Sequence, residues 1–262
     1  MMRYLNLYRS FVGNCLARTL EFRAQFFAGI FAYLVWNGVT LLFISAVFGS
    51  VGAVRGWTRE EMWVLLGTCV MLESLCYGLI GPNMWRFSDS VRDGGLDLIL
   101  TKPVSVQFFT SLRYLDFSGT MNVFAGGALL AYGLKQANIS PSLGQWLLWF
   151  ALLVCAFALA YSVWFFCVSW SIWAVKLESV AVIFDPMMQM ARFPVQIYPA
   201  RLQSLFTFVL PVAFLTTYPA QALLGRTGVA TLGWAAFFAV TALFLLNKFF
   251  HFALRFYGSA SS

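Results

Sequence analysis

Long runs of apolar residues, separated by short polar stretches, dominate the pattern of this chain. A helix needs roughly 20 mainly apolar residues to cross a hydrocarbon core about 30 Å thick. Six runs meet this requirement, and we predict one transmembrane helix for each of them. The predicted spans are residues 25–48, 62–82, 112–134, 146–172, 177–197 and 228–250.

Residues 1–23 show a different pattern, in which apolar and polar positions recur at helical spacing. Tyr4, Tyr8 and Phe11 fall on one side of a helix, and Arg3 falls on the opposite side. This pattern predicts an amphipathic helix that lies in the membrane interface. A plain N-terminal extension of the first span is the alternative.

Prolines interrupt the apolar stretch 198–226 at Pro199, Pro211 and Pro219. Proline ends or kinks a helix because it has no N–H to donate. The pieces are too short to cross a membrane, and broken helices persist at membrane depth only inside protein or beside a cavity. We therefore predict a pair of re-entrant helices before the last span.

The composition agrees with a membrane protein, because 61% of residues are hydrophobic and only 10% are charged. Soluble domains have about 25% charged residues. We predict one all-α polytopic membrane domain over residues 1–262. The net charge of +7 is dispersed, which argues against nucleic-acid binding. Five cysteines without a C-x-x-C pair and a single histidine predict no metal site.

Residues 86–103, here called the charged segment, interrupt the apolar pattern between the second and third spans. The segment holds three basic and three acidic residues, together with a short apolar ridge. Its balanced charge differs from that of a polybasic lipid-binding segment, and it predicts a short helix that docks on a protein. The charged residues are Arg86, Asp89, Arg92, Asp93, Asp97 and Lys102.

The distribution of basic residues orients the predicted spans. Cytoplasmic segments of membrane proteins carry an excess of Lys and Arg. With six spans and both termini in the cytoplasm, eleven of the 17 basic residues fall on the cytoplasmic side. This topology also places the charged segment in the cytoplasm, where a soluble partner can reach it.

Polar residues inside the predicted spans are candidates for function, because polar groups are expensive in a membrane. Asp185, Gln189, Arg192 and Gln196 are spaced to lie within about 60° on one helix face. They form either the wall of a translocation path or an intrahelical network packed against a neighbour. Glu73 in the second span is a further candidate, with protonation or a bond to a neighbouring helix as its structural alternatives.

Small residues four apart predict places where helices pack closely. Gly127 and Ala131 form one such pair, and Ala156 and Ala160 form another.

Enzymatic motifs are absent from the sequence. The phosphate-binding pattern G-x-x-x-x-G-K-[ST] requires a Gly-Lys pair, and the chain has none. We therefore predict that this chain is not an enzyme and binds no cofactor. Any use of ATP requires another polypeptide.

The order of these features resembles the permease subunits of ABC transporters of the ABC-2 type, in the bacterial branch described as ABC-2 family transporter protein. The resemblance covers essentially the whole chain. It rests on the N-terminal helix, the six spans and two stretches of sequence. These are RDGGLDLILTKP over Arg92–Pro103 and YPARLQSLFTFVLPVAFLTTYPAQALLG over Tyr198–Gly225.

The resemblance implies that the charged segment is a coupling helix seated on a separate ABC ATPase, which carries ATP and magnesium. Leu96, Ile99 and Leu100 would form the apolar anchor, with a sharp turn at Gly94. The implied contact residues are Asp89, Arg92, Asp93, Leu96, Asp97, Ile99, Leu100 and Lys102.

The resemblance also implies an exporter in the bacterial inner membrane, among membrane lipids, built from two permeases. The second permease is either another copy or a related chain, and no substrate is specified. Two other functions stay open at this point. One is an ion-coupled transporter or channel that uses Asp185, Glu73 and Arg192. The other is a non-transporting membrane scaffold.

Overall fold

A computed structural model describes residues 2–50, 53–172, 181–208 and 210–258. Most of these residues are helical. A short hairpin pairs two antiparallel strands of two residues each, β1 (Ala53–Val54) and β2 (Trp57–Thr58). The α-helices are α1 (Met2–Glu21), α2 (Arg23–Ser50), α3 (Arg59–Leu75), α4 (Gly81–Arg92), α5 (Gly95–Leu100), α6 (Val106–Leu112), α7 (Phe117–Gln136), α8 (Leu143–Ser169), α9 (Ala181–Ala191), α10 (Ala200–Phe208), α11 (Tyr218–Leu223) and α12 (Val229–Leu254).

Four helical stretches in the described ranges are long and apolar enough to cross a membrane. They are Arg23–Gly49, Arg59–Arg92, Leu143–Ile172 and Val229–Leu254. The prediction of an all-α membrane protein is therefore confirmed. The number of six spans stays a prediction, and so does the division of the chain into spans and re-entrant helices.

A π-helical turn, Cys76–Ile80, joins α3 to α4. The two helices and the turn form one helical stretch of 34 residues, Arg59–Arg92. The first part of the charged segment is thus the end of this long helix. Pro82 is the second residue after the π turn, in the first turn of α4. The hydrogen-bond register already changes there, so its missing N–H does not end the helix.

Helices α3 and α7 pack closely through glycines. A β-carbon at Gly67 would lie 2.5 Å from the backbone nitrogen of Leu130, and one at Gly126 would lie 2.7 Å from Met71 Cγ. The prediction of a close contact at Gly127 is wrong, because nothing lies within 4 Å of its ideal β-carbon. The spacing of small residues predicts close packing but does not identify which face of the helix takes part.

On α8 the predicted small-residue pair lies in the core, since Ala156 and Ala160 are both fully buried. Ser142 caps this helix by accepting a hydrogen bond from the backbone N–H of Gln145. The Gln145 side chain in return accepts one from Ser142 N–H at 2.6 Å. This reciprocal pair satisfies two backbone donors that the first turn leaves free.

The predicted helix over 177–197 is shorter in the structure. Residues 177–180 lie outside the described ranges, and α9 ends at Ala191. A separate 3₁₀ turn covers Val195–Ile197. Pro194 explains the break, because it has no N–H and it disfavours helical geometry in the residue before it.

The stretch 198–226 consists of short helices, as its prolines predict. Helix α10 is followed by a π turn, Ala213–Thr217, which continues into α11. Gly225, in the left-handed conformation with φ of +69°, follows the end of α11. The re-entrant path of these helices through the membrane stays a prediction.

Candidate functional site

A cavity of about 620 Å³ lies between α2, the α3–α4 helix, α7 and α9. Four of the five residues predicted for a translocation path line this cavity, and Gln196 does not. We call it the polar cavity. Its lining residues include Tyr33, Trp36, Asn37, Glu73, Tyr77, Asp116, Asn122, Asp185, Gln189 and Arg192.

Glu73 and Arg192, which both line the polar cavity, form an ion pair. Arg192 Nε donates to Glu73 Oε1 at 2.9 Å, and Arg192 Nη2 donates to Glu73 Oε2 at 2.8 Å. The two side chains are only 13% and 9% exposed. A third donor, Arg192 Nη1, binds Thr40 Oγ1 on α2 at 3.0 Å. Such two-point geometry fixes a carboxylate and a guanidinium relative to each other.

The second polar contact joins the π turn to α9. The hydroxyl of Tyr77 donates to Asp185 Oδ1 at 2.7 Å. Asp185 and Arg192 therefore bond to the α3–π turn region rather than to each other. Asp185 and Arg192 thus form bonds between helices, where an intrahelical network was one of the two predictions. Glu73 bonds to a neighbouring helix through Arg192.

Gln196 lies apart from the other residues of the predicted stripe. Its side-chain oxygen accepts a hydrogen bond from Trp57 Nε1 of the hairpin at 3.3 Å. Arg226, which forms an ion pair with Glu61 at 2.5 Å, also lies near this tryptophan ring. The helix ends before Pro194, so the helical spacing that grouped Gln196 with Asp185 no longer applies.

Sequence reasoning missed two amides that line the polar cavity. Asn37 on α2 donates to Asn122 on α7 at 2.8 Å. Nearby, Tyr33 on α2 donates to Asp116 Oδ2 at 3.5 Å. The rule that singled out Glu73 applies equally to an amide inside an apolar run, so a full list of such residues would have included both asparagines.

Helix α5 of the charged segment has one buried and one exposed apolar face. Leu96 is fully buried and Ile99 is 8% exposed, whereas Leu98 is 71% and Leu100 is 40% exposed. The prediction that Leu96 and Ile99 anchor the partner must be corrected, because both belong to the core of this chain. Gly94, with φ of +73°, turns the backbone so that α5 folds back on α4.

Three charged residues near the end of α4 lie at the surface of the segment. Arg92 pairs with Asp89 at 3.2 Å and with Asp93 at 3.3 Å, and these side chains are about half exposed. Surface ion pairs of this kind contribute little to stability. Lys102 lies over the ring of Phe109, 4.4 Å from its centre.

The end of the described chain returns to the charged segment. Tyr257 follows α12, and Asp97 of α5 lies beside it. Burial first, and then the neighbouring Asp97 carboxylate, raise the pKa of the Tyr257 phenol above its ordinary value.

Comparison with known proteins gives one match. The family model described as ABC-2 family transporter protein matches residues 34–261. The matched range contains the polar cavity's charged residues and the whole charged segment. No curated protein and no solved structure matches the chain.

Proposed function

Because the chain belongs to the ABC-2 family transporter proteins, and is thus a multi-pass membrane permease of an ABC system, we propose that it serves an ATP-driven exporter. A separate ABC ATPase binds ATP with magnesium and drives transport. Two permeases, either two copies or this chain with a related one, enclose the path. The assembly lies in the bacterial inner membrane with both termini of this chain in the cytoplasm.

The two-faced helix α5 is the observation that carries this proposal. Its inner face, Leu96 and Ile99, packs in the core, while Leu98 and Leu100 project outward. Apolar side chains on a short projecting helix, surrounded by charged residues, suit the centre of a protein interface with a polar rim. We assign this exposed face to the ATPase contact.

The continuity of the α3–α4 helix supports a mechanical role for this contact. Helix α5 packs against α4, and α4 continues through the π turn into α3. Glu73 lies 19 residues before Arg92, about 28 Å along a helix with 1.5 Å rise per residue. A displacement of α5 by the ATPase therefore reaches the polar cavity through one continuous element.

The polar cavity supports a translocation path in the same proposal. Ionised side chains are stable at membrane depth when they face protein or a water-filled cavity, and Glu73, Arg192 and Asp185 all line this one. Much of α2, which forms one wall, is uncovered in this chain, including Phe31 at 69% and Leu42 at 73% exposed. We propose that the second permease and lipid cover this surface.

The test combines the chain with its candidate ATPase and changes Leu98→Asp together with Leu100→Asp. We expect co-purification of the ATPase to fall at least about tenfold, since a charge at the centre of an apolar contact is unfavourable. Permease-dependent ATP hydrolysis should fall to that of the ATPase alone.

Leu143→Asp is the matched control, because Leu143 is 76% exposed at the start of α8, away from the charged segment. The coupling role is wrong if co-purification of the ATPase and permease-dependent ATP hydrolysis both persist in the double variant. Transport that continues in ATPase-free liposomes under an ion gradient would support the ion-coupled alternative instead.

A further inference from the structure

A second cavity, of about 700 Å³, lies between α1, the start of α2, α4, α6 and the loop before α7. Four basic side chains line it, and we call it the basic cavity. They are Arg18, Arg86, Lys102 and Arg113. Asp116 is the single acidic residue of the lining.

The four basic side chains form no ion pair with any described residue. Three of them instead lie against aromatic rings. Arg86 lies 3.8 Å from the ring centre of Tyr114, and Arg113 lies 4.9 Å from those of Phe109 and Tyr114. Lys102 lies 4.4 Å from that of Phe109. A guanidinium stacked on a ring keeps its N–H donors at its edge, where they can bind an anion.

The one carboxylate in the lining is already used by the protein. Asp116 Oδ1 accepts the backbone N–H of Ser118 at 2.9 Å and also its hydroxyl, and this cap begins α7. The carboxylate therefore has a structural role and does not pair with the basic side chains. A cavity with four cations and one occupied carboxylate favours an anionic ligand.

The position of the basic cavity indicates the rest of the ligand. Gln25, Phe26 and Gly29, in the first turns of the candidate span Arg23–Gly49, line it. Phe22, between α1 and α2, also lines it and is 53% exposed. The cations thus meet an apolar surface at the end of a membrane span, which suits a molecule with an acidic head and an apolar tail.

We propose that the basic cavity binds the phosphate headgroup of an anionic phospholipid. Arg86 and Arg113 hold the phosphate, Arg18 and Lys102 add positive charge at the mouth, and the acyl chains leave along the start of α2. Basic pockets between membrane helices are suited to such headgroups. The inference rests on the membrane location of the chain and is independent of the proposed ATPase contact.

The experiment measures ligand binding to the purified permease alone, in a neutral detergent. Dioctanoyl phosphatidylglycerol is the probe, and dioctanoyl phosphatidylcholine and inorganic phosphate are the comparisons. Binding is followed by native mass spectrometry and by the rise in Tm that a ligand of the folded state produces. We expect phosphatidylglycerol to bind and to raise the Tm, and the two comparisons to have little effect.

The double variant R86Q/R113Q should weaken phosphatidylglycerol binding at least about tenfold, because it removes charge-assisted contacts. R9Q is the matched control, since Arg9 is an exposed residue of α1 that does not line the cavity, and it should change affinity less than about twofold.

A second double variant keeps the test decisive if R86Q/R113Q fails to fold. Arg18 and Lys102 are exposed, so R18Q/K102Q should fold and weaken binding about fivefold or more. Unchanged phosphatidylglycerol affinity in the folded variants overturns the proposal. Equal binding of phosphatidylcholine also overturns it, and equal stabilisation by inorganic phosphate overturns the assignment to a lipid.

Discussion

The ion pair between Glu73 and Arg192 gives the most direct test of the polar cavity. Glu73→Gln keeps the shape of the side chain and removes its charge. Arg192 would then keep its bond to Thr40, at 3.0 Å, but would lose its only carboxylate partner among the described residues. An uncompensated charge would remain at a site where the arginine side chain is 13% exposed.

The size of the destabilisation expected for Glu73→Gln follows from the burial and geometry of the ion pair. Removal of one partner from a buried ion pair destabilises a protein by about 3–5 kcal/mol. We expect the lower end, about 3 kcal/mol, because the cavity of about 620 Å³ beside the pair can admit water. For a chain of this size, that corresponds to a decrease in Tm of roughly 6–12 °C.

The assay is thermal unfolding in detergent, followed by fluorescence of the 10 tryptophans, for Glu73→Gln, Arg192→Gln and the double variant. The double variant leaves no unpaired charge, so we expect it to be about 2 kcal/mol more stable than the sum of the single effects predicts. Glu60→Gln is the control on α3, since Glu60 forms no ion pair in the described ranges, and its effect should stay below about 1 kcal/mol. Additive single effects, or single effects below about 1 kcal/mol, would refute the buried pair.

Two further predictions use neighbouring glycines as matched pairs. Gly126→Ala should lower the stability by about 1–3 kcal/mol in thermal unfolding, because the new methyl group meets Met71 at 2.7 Å. Gly127→Ala, with open space around it, should be neutral or slightly stabilising, and equal effects would contradict the packing described. Gly94→Ala should cost about 1–2 kcal/mol, since φ is +73° there, and it should reduce ATPase co-purification. Gly95→Ala should leave co-purification unchanged, because the atom nearest to an ideal β-carbon at Gly95 is 3.6 Å away, which is ordinary contact.

The apolar pattern was enough to predict the helical membrane architecture. Helices α2, α8 and α12 lie close to the predicted runs, because continuous apolar residues in lipid leave the backbone few alternatives to a helix. The cost of polar groups in a membrane likewise identified Glu73, Asp185 and Arg192 before their contacts were known. Apolar runs, and polar residues within them, depend only on residues close together in the sequence, so a single sequence is enough to recognise them.

Contacts between helices were not predictable in the same way. Spacing placed Asp185 and Gln196 on one helical face, but the break before Pro194 moved Gln196 to the hairpin. The apolar residues of α5 could each have faced inward or outward, and only packing against α4 and α6 decides that Leu96 is inside and Leu98 outside. Partner choice depends on the arrangement of several helices, which no single periodicity encodes.

The attachment of α2 shows why the polar residues matter for more than lining a cavity. Lipid tails are as apolar as the helix surface, so packing and interhelical hydrogen bonds hold membrane helices together. Tyr33, Asn37 and Thr40 of α2 each form a hydrogen bond to a residue outside α2, and all three face the polar cavity or the ion pair beside it. At Gly29 the helix approaches Ser118 so closely that a β-carbon would lie 2.6 Å from its hydroxyl oxygen. Because Gly29 and Ser118 line both cavities, separating α2 from α7 would break this polar row and join the two cavities.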